Sequence, residues 1–155
     1  FWIKNEIKKF TGINWMKYIN LKVENSIANI RLKRSPINAF SIDFLNEILI
    51  TLKEVNKNKD VLAIMLTSSI PNIFCAGLDL DILLDKPILE VRKFLELLYI
   101  ELWDTQYNMN KPTMAVIDGA ARGGGMTLAI SCDVIIASDK ASFGYPEIDL
   151  RLWNI

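Results

Sequence analysis

The sequence contains no histidine. That absence excludes every mechanism built on an imidazole base and removes the commonest metal ligand. Acid–base chemistry must therefore come from Asp, Glu, Lys, Tyr or Cys. Cysteine is scarce as well: Cys75 and Cys132 stand in unrelated segments without metal-type spacing. No disulfide framework or metal site is expected, a reducing compartment fits better, and both thiols read as small packing residues. An excess of either charge is also missing. The 18 basic and 18 acidic residues cancel, so no long-range field favours nucleic acid or an anionic membrane surface. No apolar run reaches the roughly 20 residues of a membrane-spanning helix, and no integral membrane segment is expected. Neither Gly-x-Gly-x-x-Gly nor a Gly-Lys-Ser/Thr phosphate loop occurs.

What is present is a globular composition, 51% apolar and 23% charged in 155 residues, enough for one domain with a real core. There is no repeat, low-complexity tract or linker. Tyr18 to Arg34 reads as strand, turn, strand, with Asn25-Ser26 at the turn. Ser35 to Ala39 reads as a loop, and Ser41 as the N-cap of a helix carrying Phe44, Leu45, Ile48, Leu52 and Val55 at helical spacing. Leu62–Thr67 predicts a strand covered on both faces. Ser68–Gly77 reads as a loop, Pro87–Tyr107 as a long helix, and Thr113–Ile117 as a second covered strand. Gly119–Gly125 reads as a glycine-rich turn opening a helix over Met126–Ser131. Val134–Ala137 and Ser142-Phe143 predict two last strands. Alternating covered strands and helices give an α/β fold.

Two turns carry the candidate chemistry. Ile73-Phe74-Cys75-Ala76-Gly77-Leu78-Asp79-Leu80 and Ala120-Ala121-Arg122-Gly123-Gly124-Gly125 each follow a covered strand and lead toward a helix. Glycine lets a ligand approach main-chain N–H groups, and two such turns can offer two donors to one developing oxyanion. Each donor of that kind is worth roughly 3–4 kcal/mol in the transition state. Each turn alone also reads as a tight strand–helix connection. Asp118 and Asp133 read as structural. Arg122 reads as a solvated cation or as one at a pocket mouth.

The ordered set of these two turns with Ile117-Asp118-Gly119, Ser131-Cys132-Asp133 and Phe143-Gly144-Tyr145-Pro146-Glu147-Ile148 resembles the enoyl-CoA hydratase/isomerase (crotonase) superfamily. Arg34-Ser35-Pro36-Ile37-Asn38-Ala39 resembles that family's early loop, and the likeness runs from about Ile19 to Glu147. The resemblance implies a spiral of ββα units, an acyl-CoA substrate and no separate cofactor, with a homotrimer for the full-length form. It implies that the Leu78 and Gly124 N–H groups form an oxyanion hole. Ala76, Asp79 and Leu80 would lie along the CoA channel, bordered by the loop containing Asn38 and Ala39. Asp79 is equally a good helix N-cap. Glu147 would be the catalytic carboxylate, where burial after the Gly-Tyr-Pro turn would raise its pKa toward neutrality.

One departure sharpens the expected reaction. Family hydratases carry a second glutamate at the position of Thr127, and a threonine cannot shuttle protons at neutral pH. One carboxylate suffices to take a proton from C2 and return one to C4. The resemblance therefore implies a Δ3-to-Δ2-enoyl-CoA isomerase, and Leu78 and Glu101-Leu102-Trp103 resemble the mitochondrial branch. The alternatives are an inactive homologue that serves as a CoA-binding or interaction module, and a hydratase acting despite Thr127. The expected compartment is the mitochondrial matrix, with the peroxisome as the alternative. Residue 1 is Phe, and Leu150 to Ile155 diverge from the family pattern. Residues 1–155 are thus expected to be the N-terminal spiral domain of a longer form, without its trimerisation helices.

Overall fold

The structure is a computed structural model that describes residues 16–82, 84 and 86–148. β1 (Ile19–Glu24) and β2 (Ile27–Leu32) form an antiparallel hairpin. Asn25 and Ser26 both adopt positive φ, 49° and 61°, the backbone that matches a tight turn to strand twist. Along β2 the side chains of Ala28, Ile30 and Leu32 are buried, so the period-two pattern sets the core face.

Helix α1 (Ile42–Lys57) starts where expected. The Ser41 Oγ accepts from Phe44 N at 3.2 Å, a cap worth about 1 kcal/mol. Phe44, Leu45, Ile48, Leu52 and Val55 on its inner face are all buried. β3 (Ala63–Ser68) then pairs in parallel with β2.

The next stretch departs from the sequence expectation. Ser68–Gly77 is not all loop: β4 (Asn72–Cys75) lies within it. Gly119–Gly125 is not all turn: its first four residues form β6 (Gly119–Arg122), directly after β5 (Thr113–Ile117). Both strands have only four residues and both are poor in β-branched side chains, which leaves little strand pattern to read. Their pairing is tertiary. β4 and β6 run parallel to each other and to β8 (Ser142–Gly144), forming a second, three-stranded sheet. The first sheet has the order β1-β2-β3-β5-β7, with β7 spanning Val134–Ala137. Each unit thus gives one strand to the large sheet and the next to the small one: β3 and β4, β5 and β6, β7 and β8.

The expected long helix consists of α2 (Ile88–Glu96), a π-helical segment (Leu97–Glu101) and α3 (Leu102–Tyr107). Phe94, Leu98, Leu102 and Gln106 are buried at strict four-residue spacing. A straight 3.6-residue helix would rotate such a row steadily off the core. The wider π turn absorbs that excess and keeps the row facing inward. Helix α4 (Gly124–Ile130) follows β6. β7 is an edge strand of the large sheet, opposite β1, and Val134, Ile135 and Ile136 on it are exposed. No described helix is long and apolar enough to cross a membrane.

One buried carboxylate, unremarked in the sequence, ties β1 to α1. Glu47 is 5% exposed. Its Oε1 accepts from the N–H groups of Tyr18 and Ile19, both at 3.1 Å, and its Oε2 also accepts from Tyr18 N at 3.1 Å. Burial raises its pKa above the usual 4.5, partly offset by those hydrogen bonds. The folded state therefore holds this proton more tightly than the unfolded chain does, and folding stability falls as pH rises through that window. Urea midpoints measured from pH 4 to 7 are expected to show that fall, and Glu47→Gln is expected to flatten it.

Candidate active site

The site is built where the Arg34–Phe40 loop lies against the end of β4. Asn38 holds a positive φ of 52° and is fully buried. Its Oδ1 accepts from Arg34 N at 2.7 Å, and its Nδ2 donates to Ser68 Oγ and Phe74 O, both at 2.9 Å. The Asn38 side chain is thus committed to holding the loop, and Ala39 beside it is buried. Main-chain bonds continue the seam. Ala76 N donates to Ile37 O at 3.1 Å, Phe40 N to Gly77 O at 2.6 Å, and Asp79 N to Phe40 O at 3.1 Å. The last two make a parallel bridge between Phe40 and Leu78.

That bridge sets the direction of the Leu78 N–H. In a planar trans peptide the C=O and the next N–H point opposite ways. Gly77 O is turned to Phe40, so Leu78 N–H is turned away from it. Gly124 is placed by the same rule. Gly123 O accepts from Thr127 N at 3.0 Å inside the first turn of α4, so Gly124 N–H points out of the helix end, among the donors a helix leaves unpaired. Neither the Leu78 nor the Gly124 N–H meets an acceptor among the described residues.

The two turns touch. A Cβ placed on Gly77 would lie 2.7 Å from Arg122 O and 3.1 Å from Gly124 N, and Gly77 has φ +90°. A Cβ on Gly125 would lie 2.3 Å from Cys75 O. Bare main chain is what lets the turns close on each other. Gly123 N also donates to Gly144 O at 2.9 Å, which brings in the end of β8.

The other expected residues fall around this junction. Asp79 is half-buried and its Oδ2 pairs with Arg34 Nη2 at 2.6 Å, so its carboxylate is engaged within the loop. Ala76 and Leu78 are half-buried, while Leu80 is exposed and opens a short 3-10 turn, Leu80–Ile82. The main chain of Glu147 lies in a second 3-10 turn, Pro146–Ile148, just after β8. Its side chain, like residues 149–155, lies outside the described parts of the structure. Thr127 Oγ1 lies 3.4 Å from Gly123 O and 3.3 Å from the Tyr145 hydroxyl, so a neutral pair stands beside the Glu147 segment.

Arg122 is not a solvated surface cation. It is half-buried because β8 packs beside it. Its Nη2 donates to Ser142 Oγ at 3.0 Å, and its Nη1 is buried without a partner among the described residues. Asp133 and Asp118 are structural ties, as expected. Asp133 accepts from Thr113 N and Oγ1 at 2.7 and 2.8 Å, bonds that lower its pKa. Asp118 accepts from Ser138 Oγ at 2.6 Å. Burial pushes both Cys75 and Cys132 up to about 12, which makes them packing thiols and not nucleophiles. Among the described residues no group of three or more potential ligands is arranged to hold a metal ion. Sequence reasoning missed Phe40, and it gave no role to Arg34 or Tyr145 within the motifs that contain them. Phe40 sits directly before the Ser41 cap, yet its main-chain partners are 37 and more residues away, beyond the reach of local pattern.

Paired strands shared between a large and a small sheet, with two glycine turns abutting at the small one, define an α/β protein of the crotonase-like spiral class. The family model for enoyl-CoA hydratase/isomerase matches residues 22–153, and the chain belongs to that family. It is 34% identical over 133 residues to a short-chain enoyl-CoA hydratase of Clostridium acetobutylicum, covering 85% of this chain and 51% of the relative. It is 32% identical over 120 residues to the mitochondrial enoyl-CoA delta isomerase 1 of Rattus norvegicus, covering 77% of this chain and 41% of the relative. The solved human mitochondrial delta3-delta2-enoyl-CoA isomerase superposes with a TM-score of 0.80 at 27% identity, covering 87% of this chain and 54% of that one. The chain spans about half the length of these relatives.

The glycine contacts give a direct test. Gly77→Ala and Gly125→Ala would push a methyl group into main-chain atoms, whereas a Cβ on Gly144 would meet nothing closer than 3.8 Å. Overpacking of this kind costs about 1–3 kcal/mol or more. Urea unfolding is expected to show losses of that size for the first two variants and almost none for Gly144→Ala.

Proposed function

We propose that this chain carries the oxyanion hole and the base of an acyl-CoA enzyme that moves a double bond from the 3 to the 2 position of an enoyl-CoA. The thioester carbonyl would accept from the Leu78 and Gly124 N–H groups. Charge that develops on that oxygen as the C2 proton leaves would then be held by two preoriented dipoles. Glu147 would take the proton from C2 and return one to C4. Ala76, Asp79, Leu80 and the Asn38-Ala39 loop would line the CoA side, with Asn38 and Asp79 acting by holding the loop's shape, since their polar atoms are engaged there.

The observation that carries isomerisation over hydration is the Thr127–Tyr145 contact of 3.3 Å. Hydration requires a water held between two carboxylates. Here the matching position, Thr127, offers a hydroxyl set against the Tyr145 hydroxyl and no second carboxylate. Hydration is the second reading, because the similar relatives include hydratases as well as isomerases.

The test is to incubate the chain with a 3-enoyl-CoA and follow the conjugated 2-enoyl-CoA. Glu147→Gln is expected to lower turnover by about 10²–10⁴-fold, the usual contribution of a positioned acid–base group. Undiminished turnover in that variant would remove Glu147 from the mechanism. Water addition to a 2-enoyl-CoA at a comparable rate would favour the hydratase reading. Binding without either reaction would leave a CoA-binding module.

A further inference from the structure

The main chain that presents Leu78 is held by one side chain that stands outside the two turns. Arg34 follows β2, and its side chain is 20% exposed. Nη1 donates to Ala39 O at 2.8 Å, and Nη2 donates to Asp79 Oδ2 at 2.6 Å. Ala39 and Asp79 each adjoin one member of the Phe40–Leu78 bridge. The guanidinium therefore spans the bridge from one strand to the other and closes a ring with the Asp79 N to Phe40 O bond. The Tyr18 ring covers the cation, with its centroid 5.7 Å from Cζ. A planar fork with fixed donor directions is what this geometry needs, and an ammonium cannot reproduce it.

We infer that Arg34 is a positioning residue for the Leu78 N–H: by clamping Asp79 against Ala39 it fixes the Gly77–Leu78 peptide plane that turns this donor away from Phe40 and into the junction with Gly124. The inference rests on the proposed reading of Leu78 as an oxyanion donor. Asp79, on this view, belongs to the clamp: its carboxylate is the handle by which the loop is held. Loss of the clamp leaves the fold intact, because β1, β2, α1 and the large sheet make their own contacts. It frees the bridge to open and the peptide plane to rotate. Catalysis then suffers through a misaimed dipole, with the base untouched.

Two measurements separate the mechanical part from the chemical part. The first is amide hydrogen exchange of the ligand-free chain. In Arg34→Gln the Asp79 amide is expected to exchange at least about tenfold faster, while the Leu66 amide in β3 stays protected. Arg34→Lys, which keeps the charge and loses the fork, is expected to fall between. The second is the carbonyl stretch of a carbonyl-labelled saturated acyl-CoA such as butyryl-CoA. Its shift on binding wild type is expected to relax toward the free value in Arg34→Gln and to persist in Glu147→Gln. Unchanged Asp79 exchange in Arg34→Gln overturns the inference. Faster Asp79 exchange with an unrelaxed carbonyl overturns it too, and takes the Leu78 donor assignment with it. If Leu66 exchange accelerates equally, the milder Asp79→Asn must reproduce the local change or the inference fails. A wild-type chain that binds no acyl-CoA sinks the functional reading instead, and the exchange comparison alone then decides the role of Arg34.

Discussion

The two-bond bridge between Phe40 and Leu78 is the contact on which the geometry of the candidate site depends. Phe40 is fully buried and serves four neighbours at once. Its main chain aligns Gly77 and Asp79, and its ring lies where a Cβ on Gly124 would approach within 3.2 Å. The same ring packs against Phe44 in α1 at 5.8 Å between centroids. One residue thereby references both proposed donors to the core of the first helix. Preorganised dipoles act without reorganisation only if the scaffold behind them is stiff, and a buried aromatic locked at both ends provides that stiffness.

The alternation of strands between two sheets explains why the site arises where it does. Each unit sends a strand into the large sheet and then, after a short connection, a strand into the small one. The small sheet is too short to stand alone. It is held by the turns at its ends, and those turns are where main-chain N–H groups emerge unpaired. β4 delivers Leu78, β6 delivers Gly124 and β8 delivers the Glu147 segment. All three come from the same end of one three-stranded sheet, so their register is set by the ladder pairs that join Cys75 to Ala121 and Arg122 to Gly144.

The large sheet and α1 were legible in the sequence because local pattern determines them. The hairpin, the Ser41 cap and the runs at Leu62–Thr67 and Thr113–Ile117 carry their own periodicity. β4 and β6 were not legible: four residues with glycine, alanine and asparagine become strand only by pairing with one another. The π segment was hidden for a related reason, since a four-residue row departs from helical periodicity too little to be read in advance. Of the candidate site, the glycines and Leu78 were readable as a motif and fall together in space. The engagement of Asn38 and Asp79 inside the loop was not readable, because their partners Ser68, Phe74 and Arg34 lie 30, 36 and 45 positions away. Arg122 went the same way: its burial depends on β8, which arrives 20 residues later.

The open side of β7 bears on how the molecule behaves in solution. Val134, Ile135 and Ile136 are 48%, 38% and 51% exposed along a strand whose outer edge has no neighbour among the described residues. Unpaired main-chain groups flanked by apolar side chains are a template for another extended segment. The formal net charge is zero at pH 7, so long-range repulsion that would keep two such edges apart is weakest there. Charge placed along this edge and a pH away from neutrality both raise that repulsion, and both therefore work against such a contact.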